Sequence, residues 1–486
     1  MRGLLLLSGF ILLHIGVFAQ QTPYQAFEVD SAAEPHGGMP FLNTFLQTNL
    51  RKPVAAEAKG IGGRIVFNAI VEPDGRVSDV KPMNSLRPDL DREATRVFSL
   101  FKAWKPAKKN GKAVRQQVMI PVTFKPNVPY TYSNGARVSY FDADKKPIAD
   151  SNAQVRYKQI APVDTNGFAN GDIIIYKAKG SDWKEEYRLP FVRQAINRKG
   201  ASSQSTITIG YQNSDKLWEG EVVTLSDSGS IINQSFYKNG LLTNVGLKYH
   251  PNGLVAEKRA EREDGYTVTS WYTTGQVREI RFESKPKPPT KQAPNSVSAY
   301  WDHTGQQLVK EGNGRAIYSE TTRSRADTAR QTTFIEQGLY ENGLKQGVWT
   351  GRYADGSYFY EEQYDKGNCQ QGKAQVAGGD TLRYTEFGSP PEFVGGMAGL
   401  GQFLSENLHY PVEAQRAGRQ GRVLLSFVVC EDGALCDYEV IKSVDPELDK
   451  EALRIVQKMN GRWKPGVQRG QKVRVKYSLP INFSFR

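Results

Sequence analysis

The sequence predicts two small α+β end domains, each an antiparallel sheet with two helices, flanking a mainly β region of hairpins. Three observations point there. The stretch from Pro35 to Pro126 reappears, changed, from Pro391 to Arg486. Between these copies an aromatic residue recurs three or four positions before a glycine. Tyr and Phe number 23 and 22 against 6 Met, a bias toward strands over helical bundles. With 486 residues, 39% of them hydrophobic and 24% charged, the chain has apolar material for several cores, which excludes wholesale disorder.

The first element is an expected export signal over residues 1–19. Arg2 precedes Leu4 to Leu7 and an apolar run to Ala19, and Val17 and Ala19 are small enough for signal-peptidase pockets. Cleavage before Gln20 would leave the mature chain in the periplasm. The competing expectation is an uncleaved inner-membrane anchor, although a helix over this run spans roughly 25 Å against a hydrocarbon core of about 30 Å. Residues 20–34 read as a linker.

The two copies share one register. Gly37-Gly38-Met39 returns as Gly395-Gly396-Met397, Asn49-Leu50 as Asn407-Leu408, and Gly63-Arg64 as Gly421-Arg422. Asp74-Gly75 returns as Asp432-Gly433, Leu90-Asp91 as Leu448-Asp449, Trp104-Lys105-Pro106 as Trp463-Lys464-Pro465, and Pro121 as Pro480. The offset grows by one residue near Gly461. In the copy spanning 391–486, Leu400, Phe403, Leu404 and Leu408 stripe one helix face, which Tyr410-Pro411 ends. Arg422 to Val429 is an apolar strand, Glu431-Asp432-Gly433 a hairpin turn, and Tyr438 to Ile441 the return strand. Asp445 caps a second helix with Pro446 at its first position, and Leu448, Ala452, Ile455 and Met459 are its buried stripe. The last segment alternates from Val473 to Phe485 and reads as one thirteen-residue strand. Proline lacks an N–H, so Pro480 assigns that strand to a sheet edge, where unpaired backbone groups can accept an extended peptide. The candidate contact residues are Arg474, Val475, Lys476, Tyr477, Ser478 and Leu479, with Arg474 and Lys476 facing acidic peptide side chains. The competing expectation is that a second copy of the chain or the middle repeats cover this edge.

The ordered set Gly-Gly-Met, Asn-Leu-x-Tyr-Pro, Gly-Arg-Val, Asp-Gly, Asp-Pro-Glu-Leu-Asp, Trp-Lys-Pro and Leu-Pro-Ile-Asn-Phe resembles the TonB C-terminal domain. The copy over 35–126 resembles it less closely, with Lys52-Pro53 in place of Tyr-Pro and Arg87-Pro88 in place of an N-cap. The resemblance implies a protein that binds TonB-dependent outer-membrane receptors beside its last strand and couples inner-membrane motor proteins to transport. It also makes Tyr410 and Pro411 a second candidate contact, against packing on the first helix.

The middle divides into a β-rich module at 127–230, hairpins at 231–368 and a linker at 369–390. Turn motifs include Tyr132-Ser-Asn-Gly135, Tyr237-Lys-Asn-Gly240, Tyr272-Thr-Thr-Gly275, Tyr340-Glu-Asn-Gly343 and Tyr353-Ala-Asp-Gly356. Gly343 to Tyr353 resembles a MORN-type repeat. Lys199 to Ser205 and Lys285 to Pro294 are polar or proline-rich interruptions.

Catalytic signatures are missing. The five His are unpaired at metal-ligand spacing, and no nucleophile elbow or phosphate loop occurs, so no enzyme, cofactor or metal is expected. Gly37-Gly38 and Gly395-Gly396 read as turns before helices, and Asp445, Glu447, Asp449 and Glu451 as a helix N-terminus favouring negative charge. Lys102, Lys105, Lys108, Lys109, Lys112 and Arg115 cluster near Trp104 in a chain of net charge +13. Export argues against nucleic acid, leaving a solvated face or an anionic envelope component such as peptidoglycan. Cys430 and Cys436 flank the Asp432-Gly433 turn as a candidate disulfide. A type I turn with a glycine bulge puts them on one face some 7–8 Å apart, and a two-residue loop puts them on opposite faces. Cys369 is left over. Two functions compete: a TonB-like adaptor for energy-coupled transmembrane transport, and an envelope scaffold without energy transduction.

Overall fold

The computed structural model describes residues 22–149, 153–197, 205–285 and 295–485. The expected signal over 1–19, the run from Lys199 to Gln204 and the segment from Pro286 to Pro294 lie outside the described residues. Among those described, no helix is long and apolar enough to cross a membrane.

The first copy folds as α1 (Gly38–Asn49), α2 (Val54–Ala58), β1 (Gly63–Val71), β2 (Val77–Pro82), α3 (Pro88–Leu100) and β3 (Gln116–Phe124). The second follows with α4 (Gly396–Asn407), α5 (Val412–Arg416), β4 (Gly421–Val429), β5 (Leu435–Lys442), α6 (Pro446–Lys458) and β6 (Val475–Phe483). Each is an antiparallel three-stranded sheet, in orders β2-β1-β3 and β5-β4-β6. Chemistry repeats as well as topology. Gly37 and Gly395 cap α1 and α4 with φ near +82° and +85°, a left-handed turn that side chains resist. Glu93 and Glu451 each accept a backbone N–H from the loop after the first helix (Arg51, His409) at 2.7 Å, and each pairs with an arginine one turn on. The acidic run at α6 is thus consumed internally: Asp445 accepts the Glu447 N–H at 3.0 Å and Asp449 the Val444 N–H at 3.1 Å.

Two expectations need correction here. Each copy carries a third, short helix (α2, α5) directly after its X-Pro pair. The thirteen-residue strand is split at Arg474: Gln471–Val473 folds back on Gly466–Gln468, and β6 begins only at Val475. The cause is a two-residue turn in which Arg469 and Gly470 both take positive φ. The first copy has the same turn at Asn110-Gly111.

Among the described residues the middle is three antiparallel sheets in which nearly every strand pairs with its sequence neighbours. Six strands lie between Thr131 and Leu189, ten between Phe191 and Val309, and six between Gly314 and Tyr384. Sheet boundaries therefore fall near Pro190 and after Val309, not at 230. The stretch 369–390, expected as a linker, supplies strands Asn368–Val376 and Leu382–Tyr384 of the last sheet. The expected linker before the first copy is also built in, as described below.

The copies sit differently on the middle. Phe45 and Phe101 of the first share one core with Leu254, Val255, Trp271, Val277 and Trp301 of the ten-stranded sheet. Asn49 accepts the Val255 N–H at 2.7 Å across that junction. The second copy has its own core around Phe427, Leu425, Ile455 and Trp463. It meets the six-stranded sheet over Gly314 to Tyr384 through the tip of the Gly466–Val473 hairpin. There Arg469 reaches Glu362 at 2.8 Å and lies over the Tyr360 ring at 3.5 Å.

Candidate functional site: the edge strand of the C-terminal copy

β6 pairs along its whole length with β4, from Gly421↔Phe483 to Val429↔Val475, without a register shift. Its other edge carries no strand among the described residues. In an antiparallel ladder the N–H and C=O of one residue point the same way, and successive residues alternate. Cys430 donates to the Ala434 carbonyl and accepts from the Gly433 N–H, so it faces β5 and its neighbour Val429 faces β6. Val475, Tyr477, Leu479 and Ile481 are therefore bonded inward, and Lys476, Ser478, Pro480 and Asn482 turn their backbones outward. Pro480 occupies an outward position, where its missing N–H leaves no ladder bond unmade.

Side chains alternate likewise. Leu479, Ile481 and Phe483 are buried, and Lys476, Ser478, Pro480 and Asn482 are exposed. Tyr477 packs between Phe427 and Trp463, with ring centroids 5.7 and 4.8 Å away. Beside it opens a groove of about 650 Å³ lined by Phe393, Met397, Leu400, Trp463 and Pro465. At its rim Met397 is 73% exposed, and the nearby Val394 is 57% exposed. In the sequence Met397 stands out only as part of the repeated Gly-Gly-Met, and no local pattern signals the groove around it.

Several of the candidate contact residues have partners within the chain. Arg474 pairs with Asp437 and Lys476 with Glu439, each at 3.0 Å. Both pairs are solvent-exposed and weak enough to exchange partners. Tyr410 faces the end of β6 from within the domain. Its ring stacks on Phe485 at 5.1 Å and meets Phe483 edge-on at 5.8 Å, and its hydroxyl donates to the Arg419 carbonyl. Pro411 caps α5. The pair braces the edge strand from within the domain.

Cys430 and Cys436 close the β4–β5 hairpin through a type I turn with Gly433 in the bulge, and their sulfurs lie 2.7 Å apart. Burial raises the pKa of the remaining thiol, Cys369. Oxidation of the purified chain is expected to bridge Cys430 and Cys436 and to stabilise the domain by about 2 kcal/mol. Peptide mass mapping checks this, and free thiols at both positions after oxidation would contradict it.

No curated protein matches the chain. The family model described as the Gram-negative bacterial TonB protein C-terminal matches residues 49–126 and 406–485, that is, both end domains. The matched family is a protein-interaction domain without enzymatic activity, found in envelope-associated proteins. The two matches relate this chain to the TonB family.

Proposed function

We propose that the chain is a TonB-like periplasmic protein that binds outer-membrane receptors by adding their extended segment to β6, in support of energy-coupled transmembrane transport. The observation that carries this is the open outer edge of β6, where the N–H groups of Lys476, Ser478 and Asn482 face away from the sheet. An incoming strand would form main-chain bonds there and lay alternate side chains into the Met397–Trp463 groove. Lys476 and Arg474 would trade their exposed partners for acidic groups of the receptor. Inner-membrane motor proteins and peptidoglycan are the further partners this reading implies.

Peptides copied from the extended periplasmic segments of TonB-dependent receptors are the direct probe. Ser478→Pro removes one outward donor and leaves the ladder to β4 intact. It is expected to lower affinity in calorimetry at least about tenfold with an unchanged circular dichroism spectrum. Unchanged affinity in a folded variant would overturn the proposal. Val475→Pro is unsuited to this test, because its N–H is bonded to β4.

A second reading, an envelope scaffold that transmits no energy, is favoured by one observation. Arg469 and Glu362 fasten the C-terminal domain to the six-stranded sheet, where a transducer would hang its domain on a free tether.

A further inference from the structure

The two copies present the same edge strand, yet among the described residues only the second presents it bare. In the first copy the ladder between β1 and β3 runs without a register shift from Gly63↔Phe124 to Val71↔Gln116. Met83 donates to Val66, so Val66 faces β2, and Gln117, Met119, Pro121 and Thr123 turn outward on β3. These are the counterparts of Lys476, Ser478, Pro480 and Asn482.

The outward groups of the first copy are taken at both ends. Tyr24 forms a parallel bridge to Gln116. Its N–H donates to the Arg115 carbonyl at 2.9 Å, and its carbonyl accepts the Gln117 N–H at 2.9 Å. The Gln25 side chain donates to Gln117 Oε1 at 2.8 Å, and Lys109 lies over the Tyr24 ring at 4.2 Å. Downstream, Ala33 N–H is held by the buried Gln116 side chain, and Ser31 bridges Lys108. At the far end Gln47 reaches from α1 to the Thr123 carbonyl at 2.8 Å. Met119 keeps an outward N–H, flanked on one side by the Tyr24 segment and on the other by Pro121, which has none to offer.

The Ser31–Lys108 bridge returns in the second copy as Ser389↔Val467, but the contacts of Tyr24, Gln25, Gln116 and Gln47 do not return among the described residues. Leu382, which stands where Tyr24 does, pairs with Ala374 in the six-stranded sheet. Ser405 replaces Gln47, and its hydroxyl turns back to the Gln402 carbonyl. Asn482 replaces Thr123, and its side chain is engaged by Arg422 at 2.8 Å.

We propose that the first copy is a second strand-accepting edge, held closed by the chain's own Tyr24-Gln25 segment and by Gln47, so that the chain offers one open edge and one latent edge to an extended peptide. This rests on the function proposed for β6. The occupant also shows the mode of entry: a parallel strand that meets the edge at its Gln116-Gln117 end, for which the second copy has Val475-Lys476. A peptide that reaches the first copy must displace Tyr24, or arrive when that segment is drawn away.

The test uses the full chain. Calorimetry with the receptor-segment peptide is expected to give one site per chain. The variant Tyr24→Pro/Gln25→Ala/Gln47→Ala is expected to give two, and the same variant carrying Ser478→Pro to retain one. A single site in the triple variant would overturn the inference while leaving the β6 reading intact. The Ser478→Pro chain with wild-type residues at 24, 25 and 47 is expected to keep no site of wild-type affinity, and this contrast with the triple variant carrying Ser478→Pro assigns the second site to the first copy. Hydrogen exchange decides independently of any peptide. The Gln117 amide is expected to be protected in the wild-type chain, and that protection to fall at least about tenfold in the triple variant. A Gln117 amide that exchanges freely in the wild-type chain would overturn the closed edge, even if no peptide bound either copy.

Discussion

Arg469→Ala is expected to cost about 3–5 kcal/mol, the range for removing one partner of a buried ion pair. The Glu362 side chain is 0% exposed and receives Arg469 through two nitrogens, at 2.8 and 3.3 Å. Tyr384 and Tyr364 donate to the same carboxylate at 2.9 and 3.1 Å. Burial disfavours the charge on Arg469, but the Glu362 hydrogen bonds and the charge interactions with Tyr360 and Glu362 outweigh it and push its pKa further up. Truncating the arginine therefore strands an anion among tyrosines, with two hydroxyls as its remaining donors. It also empties the space over Tyr360 and beside Phe387. Adding Glu362→Gln to Arg469→Ala should recover a large part of the loss, because the buried charge goes with its partner. Urea denaturation of the two variants checks this. Equal stabilities for Arg469→Ala and wild type would show that the clamp contributes nothing.

Gly275→Ala is expected to destabilise by about 2–4 kcal/mol, and Gly253→Ala by only about 1–2 kcal/mol. Both glycines close hairpins of the ten-stranded sheet with positive φ, +88° and +81°. A methyl at Gly253 would meet nothing within 4 Å and incurs only the left-handed backbone strain. A methyl at Gly275 would stand 2.7 Å from Phe45 and 2.9 Å from Phe101, rings fixed in the core that the first copy shares with this sheet. The difference between the two variants measures how tightly that domain is docked. Identical melting shifts would mean that the junction yields easily and that the first copy is not seated as described.

Both predictions rest on contacts that only part of the sequence announced. The duplication was legible because it needs only residue identity at a fixed offset. The helix stripes were legible because Leu448, Ala452, Ile455 and Met459 fall on one face, and all are buried. The edge position of β6 followed from one proline, since a central strand could not spare its N–H. What escaped was non-local. Alternation from Val473 to Phe485 continues through Arg474 because Gln471–Val473 and β6 keep the same polarity, and period alone does not register a strand changing partners there. The turn signal Asn110-Gly111 was present in the first copy, but its counterpart Arg469-Gly470 lacks the asparagine that marks such turns. Tyr24 lies in a stretch too short and too mixed for a strand pattern, and what holds it is the edge it meets some ninety positions later. The facing of Val475 was likewise invisible until Cys430 fixed the phase of the neighbouring strand.

The outward backbone of β6 is the proposed receptor-binding edge. The most direct measurement is residue-resolved hydrogen exchange of the full chain with and without a receptor-segment peptide at saturating concentration. The Lys476 and Ser478 amides should exchange readily in the free chain and become protected on binding, while Val475, Tyr477 and Leu479, already bonded to β4, should change little. A peptide that binds and leaves Lys476 and Ser478 as exposed as before would contradict the account.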